Sequence, residues 1–239
     1  MFTALVCVVL LSSALSALPV LAKPAQFSDE FARTKVVPLC AATELDDPQI
    51  CLSRTFTNAT VLHSVTRLCN KISNDTCRGY TAINHADKAI MLAFRGTVGD
   101  HQLVLESKET LFNDKIQWIA GGAVSRYFYN AFFALWNGGI KDDFLALANK
   151  YKDHELWIVG HSLGGSIASL AASYIEKVKL FDGNRIKLVT FGQPRTGDDE
   201  FASVHDLQIP YSFRVTHAHD VIPHSPPKGY HSYKHHKAE

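Results

Sequence analysis

The sequence is short of net charge: Lys and Arg together number 24, Asp and Glu 23, leaving a formal charge of +1. That balance gives no electrostatic case for a nucleic-acid partner. Beyond residue 22 no apolar run is long enough to span a bilayer. Cysteines at C-x-x-C spacing are absent, which argues against a structural zinc site. Internal repeats and low-complexity linkers are absent as well, so a solenoid is not expected.

What is present begins with Phe2 to Ala22, almost wholly apolar or small and ending in Val20-Leu21-Ala22, the small-x-small pattern of a signal-peptidase site. Residues 1–22 therefore read as a secretory signal. No Lys or Arg precedes the apolar run, which leaves a membrane anchor as the alternative. Residues 23–239 suit one domain with a single sizeable core. With Cys7 in the signal, Cys40, Cys51, Cys69 and Cys77 remain, an even set that in a secreted chain suggests two disulfides. Three pairings are open. Asn58-Ala59-Thr60 and Asn74-Asp75-Thr76 are sequons, making Asn58 and Asn74 the expected glycosylation sites.

The chemistry centres on Gly160-His161-Ser162-Leu163-Gly164, a G-x-S-x-G pentapeptide. The apolar run Leu156 to Val159 precedes it as a strand, and Ile167, Leu170, Ala171 and Tyr174 follow at helical spacing. A strand, a tight turn and a helix are the context in which such a serine is thrust out as a nucleophile. Phe94-Arg95-Gly96-Thr97 lies upstream and Phe191-Gly192-Gln193-Pro194-Arg195 downstream. In that order the three blocks resemble the fungal-type (class 3) triacylglycerol lipase family, closest to its nematode-like secreted branch, over Phe31 to Glu239.

The resemblance implies a carboxylic ester hydrolase acting on acylglycerols, triacylglycerols first, at a lipid-water interface, with no cofactor and no metal. It implies the pairings Cys40 with Cys51 and Cys69 with Cys77. It also implies a mobile lid just after the Arg-Gly-Thr block, where His101 to Glu109 has amphipathic character.

The rest of the chain alternates between the two periods. A capped helix is expected over Phe27 to Ala42, with Pro38 casting doubt on its interior, and a hairpin over Tyr80 to Phe94. Helices follow at Val124 to Trp136, Asp142 to Tyr151, Gly165 to Lys179 and Asp198 to Leu207. Strands are expected at Leu156 to Val159, Lys187 to Phe191 and Tyr211 to Thr216. Such alternation predicts an α/β fold with a mainly parallel sheet and flanking helices, the α/β-hydrolase architecture.

A serine hydroxyl needs a base to take its proton and an acid to orient that base, in the chain order Ser, Asp, His on this fold. Asp220 follows the strand that ends at Thr216, which places it on the same sheet edge as Ser162. Asp199 and Asp206 fall in helical context and read as surface carboxylates. The resemblance aligns Asp220-Val221-Ile222-Pro223-His224 with the family's acid block and places the base at His235, Lys237 departing from the usual glycine. His236 is the register-slipped alternative and His231 the further one. Neighbours in an extended segment face opposite sides, so loss of His236 is expected to cost little. The oxyanion donors are the Leu163 amide, at a helix start, and, by resemblance, the amide and hydroxyl of Thr97. His217-Ala218-His219-Asp220 lacks the further spaced ligands of a catalytic zinc. The rival reading is an inactive, lipase-like binding protein with a truncated C-terminal region, since the family's pattern usually runs on past a glutamate like Glu239.

Overall fold

The computed structural model describes residues 25–69, 76–96 and 111–237. The signal reading, Asn74, Thr97 and the lid expected at His101 to Glu109 lie outside those residues.

Ser28 opens the first helix, its Oγ accepting a hydrogen bond from Phe31 N at 3.1 Å. The helix runs through Asp29–Phe31, a π-type turn Ala32–Val36 and Val37–Ala42, together α1. The wider turn sits just ahead of Pro38, whose ring and missing N–H an unbroken α-helix would not take. Then come α2 (Gln49–Thr55), β1 (Ala59–Leu68), β2 (Thr76–Asn84) and β3 (Ala89–Arg95). The β2-β3 turn forms where expected, with Asn84 Oδ1 accepting from the amides of Ala86 (2.9 Å) and Asp87 (3.2 Å). β4 (Lys115–Gln117), β5 (Ala123–Ser125), α3 (Arg126–Leu135), a π-type turn Trp136–Ile140 and α4 (Lys141–Lys150) follow. Val124 was expected in a helix but belongs to a strand, because Ser125 caps α3 by accepting from Phe128 N, 3.4 Å away. The chain continues with β6 (Glu155–His161), α5 (Leu163–Lys177), β7 (Ile186–Phe191), β8 (Gly197–Asp198), α6 (Asp199–Gln208), β9 (Tyr211–Val215) and β10 (Tyr233–Lys234).

Among the described residues the main sheet has six strands in the order β1-β2-β3-β6-β7-β9. The first two pairings are antiparallel and the remaining three parallel. β3 shows why the sheet is central: all seven of its residues are buried. Ile90, Leu92 and Phe94 face one core with α3, α4 and α5, while Ala89, Met91 and Ala93 face the other with Val36, Leu39 and Leu52. A strand covered on both faces reads as a near-continuous apolar run, as Ala89 to Phe94 does before the strand ends at Arg95. The small second sheet, β10-β8-β5-β4, packs beside this frame.

Cys69 and Cys77 are bonded, with 5.4 Å between Cα atoms, and tie the far end of β1 to the start of β2. The other expected link is corrected: Cys40 and Cys51 are free thiols. Cys40 turns into the core beneath α1, where burial pushes its thiol up, and Cys51 Sγ points at the Pro38 carbonyl, 3.6 Å away. Asn58 is exposed, in the turn before β1. Among the described residues no helix is long and apolar enough to cross a membrane.

Candidate active site

Parallel register brings the carboxyl ends of the strands level. Gly160 lies opposite Phe94 and Thr190, and His161 opposite Phe191, which in turn faces Val215. The next residues out of these strands are therefore neighbours. Ser162 leaves β6 at φ 55° and ψ −128°, a strained conformation for a residue with a side chain, costing on the order of 1–3 kcal/mol. Backbone bonds hold it there: Ser162 N donates to Phe191 O and Gly165 N to Ser162 O, both at 2.9 Å. The Ser162 side chain makes no capping bond to its own helix.

The elbow is glycine-bounded because the chain touches itself. A Cβ on Gly160 would fall 2.2 Å from Gly164 O, and one on Gly164 would fall 2.2 Å from Phe94 O. Backbone cannot yield by that much. Leu163 opens α5, so its amide is among the four at a helix start with no intrahelical acceptor. Gly96 approaches from β3: a Cβ there would meet Leu163 N at 3.3 Å and Ser162 Cβ at 3.4 Å.

Asp220 arrives at the same edge from β9. Its Oδ1 accepts from Ile222 N at 3.0 Å. Oδ2 stands so close over Gly192 that a Cβ there would meet it at 2.8 Å, with His161 Nε2 next, at 3.7 Å. The loop beyond is clamped by Arg195, whose amide donates to Ser225 O at 2.8 Å and whose Nη1 donates to Pro226 O at 2.7 Å. A groove of about 530 Å³ opens there, lined by His161, His217, Ala218, His219, Asp220 and Val221. Val221 is an exposed apolar residue on its wall.

His235 occupies the adjoining cavity, of about 210 Å³, with Arg214, Thr216, Pro223 and His224. Its ring is buried, and Nε2 lies 2.7 Å from the Pro223 carbonyl. A carbonyl can only accept, so Nε2 carries the proton and Nδ1 is the basic nitrogen. The structure thus brings Ser162, Leu163 and Asp220 to one edge and sets His235 one cavity away, across the turn at Ile222–His224. His231 is exposed in the preceding turn.

The class 3 lipase family's sequence profile, "Lipase (class 3)", matches residues 91–230. Lipase ZK262.3 of Caenorhabditis elegans is 36% identical over 205 residues, covering 84% of this chain and 56% of the relative. The chain belongs to the class 3 lipase family. Secreted mono- and diacylglycerol lipase 1 of Fusarium solani is 32% identical over 152 residues, 62% of this chain and 42% of that one. The chain thus spans about half the length of the curated relatives it matches. The solved structure of a triacylglycerol lipase described by its serine protease triad superposes with a TM-score of 0.72 at 21% identity, over 88% of this chain and 79% of that one. That likeness shows the α/β-hydrolase fold.

This class 3 lipase carries one feature that sequence reasoning missed, a buried polar layer beneath the elbow. Thr190 Oγ1 donates to Gln193 Oε1 (2.6 Å), which aims the Gln193 amide at Thr196 Oγ1 (2.9 Å) and His236 Nε2 (3.1 Å). Thr196 Oγ1 also bonds Ser166 Oγ at 3.0 Å. The available signal was Ser166, Ser169 and Ser173, polar at three-four spacing on the otherwise apolar face of α5, all fully buried. His205, Asp206 and His236 also lie close together. Two facts argue against a metal there: the His205 and His236 rings are stacked, so their lone pairs run side by side, and Asp206 Oδ1 already accepts from Lys237 N at 2.7 Å.

Proposed function

We propose that this class 3 lipase is a secreted hydrolase of carboxylic esters of lipids, triacylglycerols foremost, working through Ser162, Asp220 and His235. The observation that carries the reading is the strained Ser162 elbow with the Asp220 carboxylate at the same strand edge. Ser162 Oγ attacks the ester carbonyl while His235 takes its proton, and Asp220 steadies the cation that forms. The Leu163 amide and Thr97 hold the oxyanion, each such donor being worth about a hundredfold or more in kcat. His235 then protonates the departing alcohol, leaving an acyl-enzyme that water cleaves by the same steps. In the structure's tautomer Nε2–H rests on the Pro223 carbonyl, so the Ser162 proton is taken on Nδ1, or on Nε2 once that bond opens and the proton has passed to Nδ1.

Supporting the lipid substrate are the groove beside Asp220 with apolar Val221 on its wall, and the names of the relatives, lipases for mono- and diacylglycerol among them. Secretion is supported by the apolar leader, the Cys69–Cys77 disulfide and the exposed sequon at Asn58. If His101 to Glu109 acts as a lid, hydrolysis rises abruptly once substrate passes its solubility limit, because an interface holds the apolar underside open.

The test is a panel of esters of increasing acyl length, assayed below and above solubility, with Ser162→Ala as the control. The expected result is hydrolysis favouring long acyl chains and a loss in Ser162→Ala of order a millionfold in kcat. Folded protein that cleaves no ester, yet binds lipid, would establish the inactive binding protein instead.

A further inference from the structure

His236 was expected to face away from the chemistry and to matter little. It faces away, but into the most heavily tied position in the C-terminal segment. The ring is 1% exposed. Nε2 lies within hydrogen-bond distance of Ser169 Oγ on α5, at 2.9 Å, and of the Gln193 amide nitrogen, at 3.1 Å, and Nδ1 faces Ser212 Oγ on β9 at 3.4 Å. His205 of α6 covers one face, with ring centroids 3.9 Å apart and planes 22° from parallel. The backbone is held too: Arg214 Nε donates to His236 O at 2.9 Å, and Lys237 N to Asp206 Oδ1 at 2.7 Å.

Three of these partners, Ser169, Gln193 and Ser212, sit on stretches that lead to or from a reacting group. α5 begins at the residue after Ser162, Gln193 follows the Gly192 that supports Asp220, and β9 leads into Asp220. His236 is therefore the point at which the nucleophile's helix, the acid's strand and the segment bearing His235 are joined. Beyond that tie the segment is anchored by Tyr233, buried against Phe112 in the two-residue β10, and by the bond from His235 Nε2 to Pro223 O, while Lys234 between them is exposed. We propose that His236 is a positioning residue, its neutral buried ring pinning the C-terminal segment so that His235, one residue earlier, is presented on the opposite side towards Ser162 and Asp220. The titratable and charged groups near the ring are His205, Arg214, His235 and Lys237, all basic, and the Asp206 carboxylate, which the Lys237 amide already engages; burial first, and then the basic neighbours, disfavour a protonated His236.

This inference rests on the proposed hydrolytic role of His235, and the experiment separates the two. His236→Ala, His236→Gln and Ser169→Ala are compared with the parent at pH 8 for kcat, KM and circular dichroism, and the His235 ring is followed by nitrogen-15 NMR. Misplacing a base by about 1 Å costs on the order of a hundredfold, so folded His236→Ala should lose at least about thirtyfold in kcat, with KM within about twofold. His236→Gln, whose amide can meet Ser169 and Gln193 where Nε2 does, should stay within about threefold of the parent. Ser169→Ala removes one bond from the pin and should lose about threefold in kcat alone, which decides the matter should alanine at 236 not fold. The His235 resonances should move in His236→Ala and not in His236→Gln. A parent without ester hydrolysis would overturn the functional reading. Unmoved His235 resonances in folded His236→Ala, or a kcat in Ser169→Ala equal to the parent's, would overturn the inference by itself.

Discussion

Acid should unfold this protein through two particular histidines. His205 is fully buried, neither ring nitrogen has a hydrogen-bond partner, and its face lies against His236. Burial is the main cause that holds His205 down at about 3, with the Lys237 charge second. The Ser169 backbone, which favours the charged form, is the smallest influence and is not in hydrogen-bonding geometry. Burial, then His205 itself, hold His236 well below the usual range. In the unfolded chain both titrate near 6.5. Above that pH both states are neutral and the pair adds no pH dependence. Below it the unfolded chain binds protons that the folded chain refuses, so stability falls as pH falls, by about 1.4 kcal/mol per unit for each histidine. Between pH 7.5 and 4.5 His205 alone therefore removes about 2.7 kcal/mol, or roughly 5–11 °C in Tm for a domain of this size. His205→Phe keeps an aromatic ring against His236 and deletes the titration. Because the imidazole makes no hydrogen bond, the variant should match the parent within about 1 kcal/mol at pH 7.5. Urea unfolding at pH 7.5, 6.5, 5.5 and 4.5 should show the variant losing about 2.7 kcal/mol less than the parent on acidification. Parallel curves would refute the reasoning.

Gly164→Ala should be among the most damaging small substitutions, since its Cβ would lie 2.2 Å from Phe94 O; α5 must then move off β3, and thermal melting should show a loss of at least about 3 kcal/mol. A Tm within a degree of the parent would contradict that geometry. Peptide mapping without reduction should link Cys69 to Cys77 and find Cys40 and Cys51 as thiols alkylated after unfolding. A Cys40–Cys51 peptide would restore the family pairing. Opening the Cys69–Cys77 link, which spans eight positions, should cost about 2.5 kcal/mol by the chain-entropy estimate. If the Thr97 hydroxyl serves the oxyanion, Thr97→Val should lower kcat by about a hundredfold with KM little changed. An unchanged kcat would leave Thr97 no more than a backbone role.

The main sheet was legible because its physics is local. β3 and β6 are buried on both faces and read as apolar runs, and α5 carries its apolar residues at helical spacing. The elbow could be read too, since glycine at 160 and 164 records a backbone contact that any side chain would break. The small sheet was not: strands of two or three residues, such as β8 and β10, carry no period to detect. The Cys40 and Cys51 pairing depends on where two side chains point from separate helices, which spacing does not contain. The role of His236 was hidden for a related reason. Its partners Ser169, Gln193, Ser212 and His205 come from four places in the chain, and only folding assembles them.

The central claim is that Ser162 is a nucleophile activated from this strand edge. Mass spectrometry of the folded protein after treatment with a fluorophosphonate tests it most directly, because a serine whose proton is taken by an adjacent base reacts with it far faster than an ordinary hydroxyl. The account predicts a single adduct on the peptide containing Ser162, absent in Ser162→Ala and formed at least about a hundredfold more slowly in His235→Ala. No adduct on folded parent protein, or an adduct on another serine, would contradict it.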